Sequence, residues 1–167
     1  MKSKDVINLI RLLEKNGISV WLDGGWGVDA LLGKQTRKHE DVDIVLQEKD
    51  VPKLRNLLEE KGYKDVPRDD TRPSNFVLGD SNGNLVDVHA FKFDKNGNGI
   101  YGEKGVTYFA ESLQGKGKIE GQKVKCITAE YIVKFHTGYT PNEKDIKDVK
   151  ALCERFGIEL PEEYRDK

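Results

Sequence analysis

Asp41-Val42-Asp43-Ile44 places two carboxylates two residues apart in an otherwise apolar run. Side chains alternate along a strand, so Asp41 and Asp43 share one face while Val42 and Ile44 point into the core. Their Cβ atoms are roughly 6–7 Å apart in such a strand. That is close enough for both to hold metal ions, and without cations their repulsion is costly. A lone D-x-D also describes the wet face of an edge strand, but the upstream context shifts the reading. Gly24-Gly25 stands between an apolar run and a helical pattern, where open backbone N–H groups and a helix amino terminus attract an anion. A polyphosphate satisfies both halves. The order strand, Gly-Gly, helix, D-x-D strand is far more specific than either fragment.

A third carboxylate, Asp87, interrupts Asn84-Leu85-Val86-Asp87-Val88-His89. Val86 and Val88 face away from Asp87 and His89, and an acid within an apolar strand is costly unless paired or metal-bound. An exposed strand face or an arginine partner would also accommodate it; beside Asp41 and Asp43 the active-site reading prevails. Arg37-Lys38-His39 brings positive charge to the same end of the sheet. Lys38 reads as solvated, whereas Arg37 and His39 share the side of the acids, where they can hold outer phosphates and neutralise a leaving pyrophosphate.

These residues need a scaffold. Ser3 to Asn16 reads as an amphipathic helix with a capping serine, stopped by Gly17, and Ile18 to Leu22 as a buried strand. Trp26 to Leu32 forms a short helix closed by Gly33, Asp41 to Leu46 a strand, and Asp50 caps a helix ending at Gly62. Strands follow at Tyr63–Val66, Asn75–Leu78 and Asn84–Phe91, with a turn at Asp80-Ser81-Asn82-Gly83. The glycine-rich stretch from Asp94 to Gly121 reads as loops with a short pairing at Val106–Phe109. A strand at Val124–Ile127 precedes two helices broken at Thr140-Pro141. The expected fold is α+β, a mixed sheet with helices on it and a helical carboxyl-terminal element.

The chain has 167 residues, 28 of them Lys or Arg and 29 Asp or Glu, a net charge of −1. One compact domain with its own apolar core is expected. No global basic field exists to hold nucleic acid or anionic lipid. The apolar runs are too short to span a bilayer, and the amino terminus lacks an apolar signal core. The expectation is a cytoplasmic protein with no membrane or nucleic-acid partner. Cys126 and Cys153, without CxxC spacing, read as reduced, buried thiols.

The run Trp21 to Asp29, with Thr36 to Asp43 after it, resembles the polymerase-β-type nucleotidyltransferase superfamily, in particular its small antibiotic-modifying branch. The lincosamide and aminoglycoside 2''-nucleotidyltransferases both carry a G-G-W-x-x-D segment, a basic R-x-H and a D-x-D. Similarity to the lincosamide enzymes extends to Val86-Asp87-Val88-His89 and to Cys126-Ile127 through Phe135-His136-Thr137-Gly138-Tyr139, and is weakest over Phe93–Gly121. The resemblance implies a nucleotidyltransferase core over residues 1–125 and a helical element over 126–167. It implies Asp41 and Asp43 as metal ligands, with Asp87 as the third carboxylate and the acceptor of the hydroxyl proton. Gly24-Gly25 would cradle phosphate, and Arg37 and His39 would lie near the triphosphate. Asp29 and His89 would touch the acceptor, Asp29 alternatively bracing its loop. Two Mg²⁺ ions and ATP or another nucleoside triphosphate complete the site. The reaction would move a nucleoside monophosphate to a hydroxyl of a small antibiotic, conferring resistance. A lincosamide such as lincomycin or clindamycin is the leading acceptor and an aminoglycoside the alternative; a homodimer is a further family expectation.

Two other readings compete. A minimal nucleotidyltransferase fold can act as an antitoxin-like protein-binding module, but such modules are shorter. A hydrolytic metal site of His39, Asp41, Asp43 and His89 would leave the glycine pair unexplained. Trp26, Tyr101, Tyr108, Glu103 and Glu111 are candidates to line the acceptor pocket; an aminoglycoside would require clustered carboxylates and a lincosamide an apolar wall.

Overall fold

The computed structural model describes residues 1–102 and 106–165. Helix α1 (Ser3–Lys15) leads into β1 (Val20–Asp23), α2 (Gly24–Leu32) and β2 (Asp41–Gln47). Then come α3 (Val51–Glu59), β3 (Lys64–Asp65), β4 (Asn75–Gly79), β5 (Leu85–Phe93), β6 (Gly99–Tyr101) and β7 (Val106–Tyr108). The hairpin β8 (Gly115–Ile119) and β9 (Gln122–Cys126) precedes α4 (Ala129–Phe135) and α5 (Glu143–Phe156). The strands form one mixed sheet in the order β3-β4-β5-β2-β1-β9-β8, with β6 and β7 continuing from β5. The α+β expectation holds. Among the described residues, no helix is long and apolar enough to cross a membrane.

The alternation of side chains splits the core in two. Val20, Leu22, Val42, Ile44, Leu46, Val86 and Val88 point to one face, where Val6, Ile10 and Leu13 of α1 and Leu54 and Leu58 of α3 cover them. Trp21, Val45 and Phe91 point to the other, against Ile132 and Val133 of α4 and Val149 and Leu152 of α5. Burial of each large aliphatic contributes about 1.5–3 kcal/mol, so both faces hold the sheet strongly. The acids belong to the second face, at the end the late helices leave uncovered. Cys126 and Cys153 are free and buried, and burial pushes the Cys126 thiol up to about 12, so it stays protonated.

Several expectations need correction. Ser3 is the first residue of α1 and Lys2 its cap; the first-turn acid Asp5 accepts the Lys2 N–H at 3.2 Å, and the Ser3 hydroxyl bonds Glu120 instead. Asp50 caps nothing with its side chain, because residues 48–50 already form a 3₁₀ turn off β2 and Pro52 opens α3. Helix α2 begins at Gly24, not Trp26, so the glycine pair forms its first turn. The largest miss is 94–121, which holds β6, β8 and a 3₁₀ turn at Ala110–Gln114. Its glycines mark close packing: a Cβ on Gly117 would lie 2.4 Å from the Ala30 carbonyl, and one on Gly115 2.2 Å from that of Cys126. Asp94 also repeats the turn at Asp80, each carboxylate accepting the N–H groups two and four residues on at 2.8–2.9 Å.

Candidate active site

The sheet register aligns Asp23 on β1 with Asp43 on β2, and Asp43 with Asp87 on β5. Neighbouring strands lie about 4.8 Å apart, so three carboxylates stand in a row across the sheet. Asp41 follows on the same face of β2. A carboxylate oxygen from each of Asp43 and Asp87 and a ring nitrogen of His89 lie within 4.8 Å of one another. Nε2 of His89 is 3.6 Å from Asp87 Oδ1 and 3.8 Å from Asp43 Oδ1. Arg68, from the loop before β4, brings its Nη1 to 3.6 Å from Asp87 Oδ2.

The electrostatics follow from crowding. Burial and then the Asp43 charge push the Asp23 and Asp41 carboxyls up. Burial also raises Asp87, against the opposing influence of His89. Burial alone would lower the His89 imidazole, but its bond to Asp43 and the charges of Asp87 and Asp43 outweigh that and raise it. Such a set of hard oxygen donors, each disfavoured as a bare anion by the others, fits a divalent cation of the magnesium type.

A measurable consequence concerns pH. In the metal-free chain, Asp23, Asp41, Asp87 and His89 all hold protons more tightly folded than unfolded. Their contribution to stability is therefore present at low pH and lost as pH rises, from the ordinary carboxylate range through the raised values. Cations compete with those protons. The rise in melting temperature caused by Mg²⁺ plus nucleoside triphosphate should accordingly grow between pH 5 and pH 8. A thermal-shift series in which the increment shrinks or stays flat would reject the shared-cation site.

Gly24 packs directly on this row. Its φ is +52°, and a Cβ there would lie 2.2 Å from Asp43 Oδ2, so both conformation and space require glycine. Its N–H donates to Asp23 at 2.9 Å, which ties the cap of α2 to the acid row. Behind Gly25 stand Arg37 and His39; a Cβ would lie 2.4 Å from His39 Nδ1 and 2.6 Å from Arg37 Nη2. Arg37 forms an ion pair with Asp148 of α5 at 2.7 Å, and its Nη1 is 3.0 Å from His39 Nδ1. His39 Nε2 pairs with Asp29 Oδ2 at 2.5 Å, both side chains only 2% exposed. Asp29 Oδ1 accepts the Thr36 N–H at 2.9 Å and its hydroxyl at 2.6 Å.

The predicted residues thus fall into two groups. Asp41, Asp43, Asp87, His89 and Gly24 meet at the acid row. Gly25, Arg37, His39 and Asp29 form a brace behind the glycine turn, with Asp29 and His39 buried and Gly25 and Arg37 half-buried. The Asp29 carboxylate bonds His39 and Thr36 within that brace. Trp26 is 1% exposed and packs in the core. Tyr101 and Tyr108 do border the acids, Glu111 is exposed and bonded to Tyr131, and Glu103 lies outside the described residues. His136 donates from Nδ1 to the Ile132 carbonyl at 2.8 Å, with Nε2 4.0 Å from Asp145; Tyr139 also bonds Asp145.

Two residues of the site escaped the sequence reading. Asp23 directly before Gly-Gly looks like a helix cap, which it is; that the ladder extends to it, opposite Asp43, is the missing half. Arg68 sits in an irregular segment without periodicity, and no local pattern points to it.

Three strand-borne acids beside a glycine-opened helix suit metal-dependent phosphate chemistry, and similarity to known proteins places the chain among the antibiotic-modifying nucleotidyltransferases. The chain belongs to the aminoglycoside-2''-adenylyltransferase family, whose model matches residues 5–152. It is 32% identical over 151 residues to a lincosamide resistance protein of Staphylococcus haemolyticus, covering 89% of this chain and 92% of that one. To a 2''-aminoglycoside nucleotidyltransferase of Escherichia coli it is 25% identical over 171 residues, covering 94% and 89%. The lincosamide antibiotic adenylyltransferase LnuA with lincomycin bound superposes with a TM-score of 0.80 at 32% identity, covering 91% of this chain and 96% of that one. ANT(2'')-Ia in complex with adenylyl-2''-tobramycin shares the fold, with a TM-score of 0.72 at 22% identity over 93% and 89%. The protein is a nucleotidyltransferase of this family, which implies a nucleoside triphosphate and a divalent metal.

Proposed function

We propose that this protein transfers a nucleoside monophosphate, from ATP in the leading reading, to a hydroxyl of a lincosamide. One observation carries the choice of acceptor: an aromatic wall leading away from the acids. Tyr101, Tyr108, Phe135, Tyr131 and Phe109 follow one another with ring centroids 6.0, 5.3, 6.0 and 5.9 Å apart. The wall starts at Tyr101, whose hydroxyl touches His89 at 3.2 Å. Lys134 holds its ammonium 5.4 Å from the Tyr131 ring and 5.6 Å from that of Phe109. A polycationic aminoglycoside would need several clustered carboxylates, whereas this wall offers rings, the Lys134 cation and the single carboxylate of Glu111 bonded to Tyr131, which suits a lincosamide better.

Asp41 and Asp43 would hold magnesium, two ions in this reading, with Asp23 beside them. The metal, when bound, offsets phosphate charge and makes the acceptor hydroxyl more acidic. Asp87 receives the hydroxyl proton as the oxygen attacks the α-phosphorus and pyrophosphate leaves. The first turn of α2 faces the departing negative charge, with the Arg37–His39–Asp29 brace keeping Gly25 in place. Arg68 supplies a cation beside Asp87.

The test is a mass-spectrometric panel with ATP and Mg²⁺, in which lincomycin and clindamycin should each gain one AMP while tobramycin and kanamycin do not. Adducts on the aminoglycosides alone would assign the chain to the other branch, and adducts on none would reject antibiotic transfer.

A further inference from the structure

Two tyrosines of the described residues are buried, Tyr164 at 0% exposure and Tyr108 at 6%. A buried hydroxyl normally finds a partner, and that of Tyr164 donates to the His136 carbonyl at 2.5 Å. Among the described residues, none bonds the hydroxyl of Tyr108. Neither is it sealed in, because the enclosed side-chain polar atom left unpaired among those residues is Nε1 of Trp26. The Tyr108 ring is buried and its oxygen opens outward. We propose that this hydroxyl is a binding group for the acceptor, donating its hydrogen bond to a neutral oxygen of that molecule: a hydroxyl, an ether or a carbonyl.

The surroundings hold the ring still. Tyr108 ends β7, opposite Gly99 of β6, and its ring meets those of Phe135, Tyr101 and Phe91 at centroid distances of 5.3, 6.0 and 6.1 Å. Little side-chain freedom is left to lose on binding. Burial first, then the charge of Asp23 with smaller influences from Tyr101, Asp43 and Asp87, pushes the phenol well above its ordinary range. The group therefore keeps its proton, and it does so beside the acid row. Phe91, Phe109 and Phe135 supply ring surface without a hydroxyl; at Tyr108 the hydroxyl adds no bond to the fold and is a penalty against an occupant that cannot accept from it. An occupant with an oxygen at that point removes the penalty. Tyr108 stands in the aromatic wall between Tyr101 and Phe135, and not in the first turn of α2, so the oxygen is assigned to the acceptor and not to a phosphate. Sugar-bearing drugs of either class carry such oxygens. The assignment thus rests on the transferase reading and is independent of the drug class.

Tyr108→Phe tests this, with Tyr164→Phe as the contrast. Removing a hydroxyl that the fold does not use should leave the melting temperature of the free protein unchanged or raise it, whereas Tyr164→Phe strips a carbonyl of its donor and should lower it by about 2–4 °C. Calorimetry then reads the drug. With Mg²⁺ and a non-hydrolysable ATP analogue present, lincomycin and tobramycin are titrated separately, and whichever the wild type binds should be held about three- to tenfold more weakly by Tyr108→Phe. Affinity for the analogue itself should stay within about twofold of the wild type. A fall in melting temperature as large as that of Tyr164→Phe makes the hydroxyl structural and overturns the proposal. Undiminished drug affinity overturns it too, and an equal weakening of the analogue gives the bond to the nucleotide instead. A wild type that binds neither drug rejects the antibiotic reading and this contact with it, an outcome distinct from drug binding that Tyr108→Phe leaves intact.

Discussion

Asp43→Asn will reduce turnover by about three orders of magnitude and make the metal-free protein melt higher. Asp43 sits at the centre of the acid row, in register with Asp23 on one side and Asp87 on the other. Losing one charged ligand removes several kcal/mol of transition-state stabilisation, and each 1.36 kcal/mol is about tenfold in rate. The same carboxylate contributes to raising Asp23, Asp41 and Asp87. Its neutralisation relieves repulsion of the order of 1 kcal/mol, about 2–4 °C in a domain of this size. Asparagine preserves the volume beside Gly24, where space is tightest. Kinetics together with melting in EDTA checks both halves. Near-normal turnover would sink the metal-ligand role, and a lower melting temperature would contradict the crowding.

Asp87→Asn should separate binding from chemistry. Asp87 lies on β5, across one strand pairing from the D-x-D of β2, and is flanked by His89 and Arg68. As the proton acceptor it acts on the chemical step, and its loss costs about 10²- to 10⁴-fold in kcat. Calorimetry should find Mg-ATP bound nearly as tightly as by the wild type, while Asp41→Asn binds it far more weakly. Equal loss of nucleotide affinity in both variants would make Asp87 chiefly a metal ligand and send the proton elsewhere.

The acid row was legible because strand periodicity is strict. A period of two puts Asp41 with Asp43 and Asp87 with His89 without knowledge of the register. What the local pattern lacked was the third dimension. Asp23 looks complete as a helix cap, and only the ladder between β1 and β2 shows its second role. Arg37 and His39 alternate correctly with Lys38, but the chain there is not a strand, and their partners Asp148 and Asp29 come from two helices. Gly115 and Gly117 misled for a physical reason. Glycine marks flexible loops and tight backbone contact alike, and here α2 packed on Gly117 and the backbone of Cys126 and Ile127 packed on Gly115 require the second. The aromatic wall draws on β6, β7, α4 and the segments between them, so no single stretch displays it.

The placement of β1 carries a consequence for how the protein is made. Leu22 pairs with Ile44 on one side and with Cys126 on the other. The first partner leaves the ribosome soon after β1, and the second only when most of the chain has been synthesised. Until then a buried, apolar strand keeps an open edge, the kind of surface that recruits strands from other chains. Helices α4 and α5, which cover the face carrying Trp21 and Val45, arrive later still. A chain interrupted before β9 therefore exposes an edge prone to aggregation, and the yield in a cell should depend on the rate of translation through residues 47–126 as well as on the stability of the finished fold.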